Sequence, residues 1–198
     1  MNNAAENNTQ KNNNGISQKD DRCCKLSVVV SVYNEEKALD SLFKDIIAQD
    51  YPHGNIEVIL VNAMSTDQTR RKMEHFSEED HGFRRVVVLD NAKKIQAAGW
   101  NVAITASKGD IILRIDAHTM IPHDFVSKNV QCILSGENVT GGRRPNVVEE
   151  ETPWKHTLLL AESSMFGSSI APYRKGNHKT YVKSVFHGAY RKEVFRSE

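Results

Sequence analysis

The sequence predicts an α/β fold, with a mostly parallel central sheet between two layers of helices. Short runs of β-branched and aliphatic residues alternate with longer segments in which apolar residues recur at helical spacing. This alternation is typical of parallel strands joined by right-handed crossover helices. Small polar residues directly follow three of the predicted strands, which is where open parallel sheets bind their ligands.

The first strand is predicted over residues 26–32, where β-branched residues follow one another almost without interruption. A helix is predicted over residues 36–49, because its apolar residues fall on one stripe. Residues 51–54 contain Pro and Gly and end this helix. The apolar stripe consists of Leu39, Leu42, Phe43, Ile46 and Ile47.

The second strand is predicted over residues 56–61. The helix that follows is expected to run to about Phe76. Ser65 and Gln68 have the spacing of a capping box, so Ser65 is predicted to cap this helix.

The same pattern continues with a short strand over residues 86–89 and an Ala-rich helix over residues 95–106. A fourth strand is predicted over residues 110–115, and Pro122 suits the first turn of the next helix. The sequence is much less regular after Gly136, and no further element is predicted there. The stripe of the last helix consists of Phe125, Val126, Val130, Ile133 and Leu134.

Composition excludes several classes of protein. The 198 residues carry a net charge of +1, which gives no support to general binding of nucleic acid or acidic membranes. No apolar run approaches the roughly 18–20 residues that span a bilayer. We therefore expect no nucleic-acid partner and no membrane span in this chain.

Residues 1–22 are rich in Asn and poor in apolar side chains, so a disordered leader is predicted there and one domain over residues 23–198. The leader lacks the basic start and apolar core of a secretory signal. Cys23, Cys24 and Cys132 are odd in number and lack metal-binding spacing, which indicates reduced structural thiols. A cytoplasmic location is expected.

Three predicted strands end in polar clusters that right-handed crossovers would bring to one edge of the sheet. Each cluster alone has an ordinary explanation as a helix start or a helix cap, but their joint placement predicts a binding site. The clusters are Ser31, Tyr33, Asn34 and Glu35 after the first strand, Asn62, Ser65, Thr66 and Asp67 after the second, and Asp116 and His118 after the fourth.

Common nucleotide-binding and hydrolase fingerprints are absent, including G-x-G-x-x-G, the P-loop and G-x-S-x-G. What remains is a carboxylate and an imidazole two residues apart, at Asp116 and His118. Both can turn toward one divalent cation, which could bridge the two phosphates of a nucleoside diphosphate.

Residues 28–36 (Val-Val-Val-Ser-Val-Tyr-Asn-Glu-Glu) resemble the opening strand of family 2 glycosyltransferases, which are inverting enzymes of the GT-A fold. Residues 57–67 resemble their second strand, usually written V-D-D-G-S-T-D, and Asp116-Ala117-His118 lies where they carry a D-x-D metal motif. The D-A-H version, together with residues 186–195, is similar to the succinoglycan-biosynthesis branch of the family.

The resemblance, which extends from about Lys25 to Phe195, implies a nucleotide-sugar donor, most simply a UDP-hexose. Asn62 and Ala63 replace the family's usual acidic pair. Lys93 and Lys94 stand where the family often has a basic residue near the donor phosphates, although a lysine pair also suits a solvated surface. The implied donor-binding residues are Ser31, Val32, Tyr33, Asn34, Glu35, Asn62, Ala63, Ser65, Asp67, Lys93, Lys94 and Asp116. Asp67 would shape the loop or cap the next helix in this interpretation, and the capping role is favoured.

The resemblance also makes Asp116 and His118 metal ligands. A neutral imidazole in place of a carboxylate removes one negative charge and softens the ligand set, so Mn²⁺ is expected to be preferred over Mg²⁺.

The implied reaction is an inverting transfer of the sugar to a saccharide or lipid-linked acceptor in polysaccharide biosynthesis, at the inner face of the membrane in a longer form. The family's general base follows the segment matched by residues 188–195, so it is expected beyond Glu198. The acidic run at residues 149–151 is interpreted as a solvated loop. We therefore expect this chain to bind donor but to transfer sugar poorly or not at all.

Two alternatives stay open. One is a catalytically impaired fragment that binds nucleotide sugars, which Ala63, His118 and the missing base favour. The other is a nucleotidyltransferase, although the Gly-rich basic loop that such enzymes carry after the first strand is absent.

Overall fold

A computed structural model describes residues 24–142, 152–163, 180–182, 185 and 187–195. The predicted leader (1–22), the acidic run (149–151), Cys23, Phe186 and Glu198 lie outside these ranges. Cys24 and Cys132 are both reduced thiols.

The described residues form six strands and five α-helices. The strands are β1 (Leu26–Val32), β2 (Ile56–Asn62), β3 (Arg85–Asp90), β4 (Ile111–Ile115), β5 (Val139–Gly141) and β6 (Gly188–Arg191). The helices are α1 (Leu39–Ile47), α2 (Thr69–Glu78), α3 (Gln96–Ala106), α4 (Phe125–Leu134) and α5 (Pro153–Ser163). Short 3-10 turns occupy His53–Asn55 and Lys192–Phe195.

The sheet has the strand order β3-β2-β1-β4-β6-β5. The first four strands are parallel, and β6 runs antiparallel to both of its neighbours. Val32 pairs with Asn62, and Asn62 pairs with Asp90, so β1, β2 and β3 end level with one another. The predicted mostly parallel α/β sheet is confirmed, and its carboxyl edge is where ligands are expected.

Two hydrophobic clusters, one on each face of the sheet, establish the three layers. Alternate residues of β1 point to opposite faces, with Val28 in the larger cluster and Val29 in the smaller one. The larger cluster contains residues of α1, α2 and α4, and the smaller one contains Trp100 and Ala103 of α3.

Most predicted elements are present within a few residues of their expected bounds. Helix α1 begins at Leu39, because a turn comes first in which Ala38 N and Leu39 N both donate to Glu35 O. The last residues of two predicted stripes, Ile47 and Leu134, are 37% and 53% exposed rather than buried.

The predicted capping role of Ser65 is wrong. Helix α2 begins at Thr69, and the carboxylate of Asp67 accepts the hydrogen bond from Thr69 N at 3.0 Å. Asp67 is therefore the side chain that satisfies this helix start.

Strands β5 and β6, helix α5 and the 3-10 turn at Lys192–Phe195 follow Gly136 and were not predicted. Strands β5 and β6 have only three and four residues, too few to show an alternating pattern. Strand β6 exists because it pairs with β4, almost eighty residues earlier in the chain.

Candidate functional site

A cleft of about 170 Å³ opens at the carboxyl edge of the sheet. Residues after β1, β2 and β4 and the start of α3 line it together, as the polar strand ends predict. Eight of the predicted site residues are among its lining residues: Ser31, Val32, Tyr33, Glu35, Ala63, Lys94, Asp116 and His118.

The other predicted site residues, Asn34, Asn62, Ser65, Asp67 and Lys93, are not among the residues lining this cleft. Four of them hold loops together instead. Asn34 N donates to Ser65 Oγ at 3.0 Å, and Thr66 N donates to Asn34 Oδ1 at 2.8 Å. These bonds join the loop after β1 to the loop after β2.

Further bonds strengthen the same junction. Glu35 N donates to Thr69 Oγ1 at 2.8 Å, Glu36 N donates to Asp67 Oδ2 at 3.3 Å, and Gln68 N donates to Glu36 Oε2 at 2.9 Å. Burial alone would raise the pKa of Asp67, but hydrogen bonds from Thr69 and from Glu36 N outweigh it and hold that pKa below its ordinary value. The two loops therefore support Tyr33 and Glu35 as one unit.

Asn62 is buried, and its carboxamide is engaged within the protein. Its Nδ2 donates to Asp90 Oδ1 at 3.3 Å, and its Oδ1 accepts from Ser65 N at 3.0 Å. The neighbouring Ala63 presents only a methyl group to the cleft. Asn62 and Ala63, which replace the family's usual acidic pair, therefore place no carboxylate on this side of the cleft.

Three non-glycine residues around the cleft have left-handed backbone conformations. Their φ angles are +53° at Asn34, +60° at Met64 and +55° at Lys94. Asn tolerates this region, but Met and Lys do so at a cost. Met64 occupies the position of the glycine in V-D-D-G-S-T-D, and its backbone has kept a conformation that suits glycine.

Asp116 is 5% exposed, and its Oδ1 accepts no hydrogen bond from any residue that the structure describes. Among the described residues, Arg114 forms the ion pair with this oxygen: its Nη2 lies 3.8 Å away, and its guanidinium lies 4.7 Å from the centre of the Trp100 ring. A buried carboxylate oxygen without a donor is costly, so it indicates a group that a ligand completes.

His118 lies at the mouth of the same cleft with its side chain 61% exposed. Its Nδ1 is 3.4 Å from Glu35 Oε1. Within the described ranges, no group of three or more His, Cys, Asp or Glu side chains is placed to hold a metal ion. Asp116 and His118 nevertheless fit a cation that takes its remaining ligands from water and from the oxygens of a bound diphosphate.

Sequence reasoning did not find Gln96, which also lines the cleft, or Gly99 in the same first turn of α3. A Cβ at Gly99 would come within 2.1 Å of Ser31 Oγ and 3.1 Å of Ser31 Cβ, so any larger residue there would force Ser31 to move where α3 crosses the end of β1. An isolated glycine within a predicted helix is the signal that could have indicated this close approach.

The family model described as Glycosyl transferase family 2 matches residues 27–197. The chain belongs to glycosyltransferase family 2. The expected GT-A fold is thereby confirmed, together with membership of a family of sugar-transferring enzymes.

Among curated relatives of this family 2 chain, the succinoglycan biosynthesis protein ExoA of Rhizobium meliloti is 27% identical over 176 residues. The alignment covers 86% of this chain and 51% of ExoA, which confirms the similarity to the succinoglycan branch. The chain thus spans about half the length of this relative.

Solved structures of other glycosyltransferases show the same fold. TarS of Staphylococcus aureus in complex with UDP-GlcNAc is 25% identical with a TM-score of 0.54, over 65% of this chain and 37% of TarS. The mannosyltransferase PcManGT of Pyrobaculum calidifontis, in complex with GDP-Man and Mn²⁺, has a TM-score of 0.61 at 21% identity, over 86% of this chain and 45% of that protein. Among the described residues, no helix is long and apolar enough to cross a membrane.

Proposed function

We propose that the cleft binds a nucleotide-sugar donor, most simply a UDP-hexose, for inverting transfer to a saccharide or lipid-linked acceptor in polysaccharide biosynthesis. One observation carries the proposal: a buried carboxylate oxygen of Asp116 has no hydrogen-bond donor among the described residues and lies in a cleft with His118 and Tyr33. A lipid-linked acceptor would bring the protein to the inner face of the membrane.

Tyr33 is 51% exposed and lines the cleft, so its ring is available for stacking against the base. Ser31 offers a hydroxyl for the ribose, and Glu35 lies beside it in the lining. Asn34, Ser65 and Asp67 support these residues through the loop junction. We propose that they act as positioning residues rather than as contacts of the donor.

Asp116 and His118 would hold a divalent cation, which supplies neutralising charge to the diphosphate as it leaves. A carboxylate and an imidazole form a softer pair than two carboxylates, so Mn²⁺ should bind better than Mg²⁺. Titration of the chain with each metal in the presence of UDP tests this preference. Equal or tighter binding with Mg²⁺ would contradict it.

In the transfer, the acceptor hydroxyl oxygen forms a bond to the anomeric carbon from the face opposite the nucleotide. The bond from that carbon to the diphosphate oxygen breaks, the configuration inverts, and the hydroxyl proton passes to a general base. The contribution of the cleft residues is to bind the nucleotide, orient the sugar and hold the leaving group.

A nucleotide-sugar-binding chain without transfer activity is the second candidate. The engaged amide of Asn62 and the methyl group of Ala63, where the family pattern has acids, favour it. Release of UDP from a bound UDP-sugar in the presence of candidate acceptors separates the two candidates.

Calorimetric titration with UDP, UDP-glucose, UDP-GlcNAc and GDP-mannose in the presence of Mn²⁺ tests the site. We expect a UDP-sugar to bind and Asp116→Ala to weaken that binding by about a hundredfold, the loss of one strong electrostatic contact. Asp80→Ala is the matched control, because Asp80 lies outside the cleft and, among the described residues, accepts a local bond from Gly82 N alone. If no nucleotide binds, or if both variants bind like the parent, the proposed site is wrong.

A further inference from the structure

Asn91 lies at the turn between β3 and α3, and it is only 2% exposed. Its backbone N donates to Asn62 O at 2.8 Å, which ties the turn to the end of β2. The side chain is not among those lining the cleft, so any effect of Asn91 on a ligand must act through other residues.

The carboxamide of Asn91 bridges the whole turn. Its Oδ1 accepts from Lys93 N at 3.2 Å, and its Nδ2 donates to Ile95 O at 2.9 Å. Lys94 N donates to the backbone oxygen of Asn91 at 3.2 Å. One backbone atom in each of Lys93, Lys94 and Ile95 is therefore bonded to the same residue.

This bonding imposes the conformation of Lys94. Its φ of +55° is one that lysine rarely adopts, and it persists only where the surrounding bonds enforce it. Lys94 and Gln96 both line the cleft in this arrangement, whereas Lys93 does not. The turn thus selects which lysine of the pair faces the ligand.

The start of α3 is also fixed from the other side. A Cβ at Gly99 would meet Ser31 Oγ at 2.1 Å and Asn91 Nδ2 at 3.3 Å, so the first turn of α3 is pressed against both residues. The position of Lys94 relative to Ser31 therefore depends on close contacts rather than on a flexible loop.

The lining of the cleft contains one lysine together with acidic side chains and a histidine. Lys94 is the cationic side chain of the lining, and no ion pair joins it to another described residue. Asp116, Glu35 and His118 lie elsewhere in the same lining. A ligand that carries negative charge and also binds a cation suits this pairing of one lysine with a metal-ligating pair.

We propose that Asn91 is a positioning residue that holds Lys94 and Gln96 in the cleft, where Lys94 binds the diphosphate of the donor. The proposal rests on the proposed donor site. Loss of the carboxamide lets the turn relax, Lys94 returns to a right-handed conformation, and its ammonium group leaves the diphosphate. Nucleoside binding without phosphate does not depend on this turn.

The test is a double-mutant cycle of Asn91→Ala and Lys94→Met, with UDP and uridine titrated separately in the presence of Mn²⁺. We expect each single variant to weaken UDP binding by about tenfold, as loss of one bond to a charged group would. Uridine binding should change less than twofold. The double variant should bind UDP no more weakly than the worse single variant, because both changes remove the same contact.

Measuring the affinity for UDP at several salt concentrations adds a test whose result a general loss of stability would not change. The affinity of the parent for UDP should fall with rising salt, and both single variants should show a flatter dependence because the lysine contact is gone. Asn91→Ser, which keeps an oxygen to accept from Lys93 N, replaces Asn91→Ala if the latter does not fold.

Asn129→Ala is the matched control. Asn129 is also buried, and its Nδ2 donates to Phe125 O, a backbone oxygen four residues away, at 2.7 Å. It lies on α4, so this variant should lose stability while keeping the affinity for UDP.

Unchanged UDP affinity in the Asn91 variants, or losses that simply multiply in the double variant, would overturn the role of Asn91. Failure of the parent chain to bind UDP would instead overturn the proposed donor site.

Discussion

Each end of the sheet contains a buried carboxylate, and the two are treated in opposite ways. Glu57, near the amino end of β2, is 3% exposed and accepts hydrogen bonds from Ser27 Oγ, from Lys108 N at 2.5 Å, from Gly109 N at 3.0 Å and from Arg85 Nε at 2.5 Å. Asp116, at the carboxyl end of β4, is 5% exposed and has one oxygen that accepts no bond within the described residues.

The bonding of Glu57 is typical of a residue that stabilises the fold, whereas the incomplete bonding of Asp116 is typical of a residue in a binding site. The bonds to Glu57 tie β1, β2, β3 and the turn before β4 together, and every partner belongs to the protein. At the carboxyl end, left-handed residues and an incompletely bonded carboxylate line or border the cleft, where the proposed donor would complete the bonding of Asp116. The four predictions below test this contrast, from the largest expected effect to the smallest.

Glu57→Ala should lower the free energy of unfolding by about 3–5 kcal/mol, because it leaves Arg85 and two backbone N–H groups without their acceptor. Chemical denaturation measures the loss. Glu78→Ala, at the exposed last residue of α2, is the control and should change stability by less than about 0.5 kcal/mol. Equal effects of the two substitutions would show that the network around Glu57 contributes little.

Stability should also depend on pH through Glu57. Burial alone would raise its pKa, but hydrogen bonds from Ser27, Lys108 N and Arg85 outweigh burial and hold that pKa below the ordinary value of 4.5. A carboxyl group whose pKa is lower in the folded state stabilises the fold above its unfolded pKa, and this stabilisation is lost as the pH falls through the folded pKa.

Denaturation of the parent and of Glu57→Gln from pH 6 down to pH 3 tests this dependence. Both lose stability through their other carboxylates, but the variant should lose less below about pH 4.5, since it has no proton to take up at this position. Parallel curves would contradict the assignment.

Met64→Gly should raise the free energy of unfolding by about 1 kcal/mol, because glycine adopts a φ of +60° without the steric cost that Met bears. Part of that gain is offset by the greater freedom of glycine in the unfolded chain. Met120→Gly is the control: Met120 is also exposed and lacks a positive φ, so this variant should lose stability. A loss in both variants would mean that Met64 is not strained.

Asp116→Asn should change the free energy of unfolding by less than about 0.5 kcal/mol, because the affected oxygen has no hydrogen bond to lose within the described residues. Thermal unfolding without ligand measures this, with Glu57→Gln as the comparison at the other end of the sheet. A large loss at Asp116 would assign it a structural role and remove the contrast.

Much of the fold and part of the site could be predicted because their signals are local. β-branched runs placed β1 to β4, and apolar stripes, a helix-start signal and an Ala-rich run placed α1 to α4, all within a few residues. The polar strand ends indicated the edge of the sheet at which the cleft opens. The motif then indicated Asp116, His118, Tyr33 and Glu35, all of which line the cleft.

Other features could not be predicted because they depend on contacts between distant residues. Lys94 rather than Lys93 lines the cleft because of the bonds made by Asn91, and Asn62 turns inward because Asp90 and Ser65 N engage its amide. The spacing of residues in a sequence does not show which side-chain atoms form hydrogen bonds within the folded protein.

The sequence by itself therefore determined the layers of the fold, the edge of the sheet at which the cleft opens and the family to which the chain belongs, since periodicity and motifs depend on residues close together in the sequence. Only the tertiary structure decided that β6 inserts between β4 and β5, that two loops join to support Tyr33, and that Asp116 has a buried oxygen without a hydrogen bond among the described residues. These features arise from hydrogen bonds and packing between residues about thirty or more positions apart, which form only when the chain has folded.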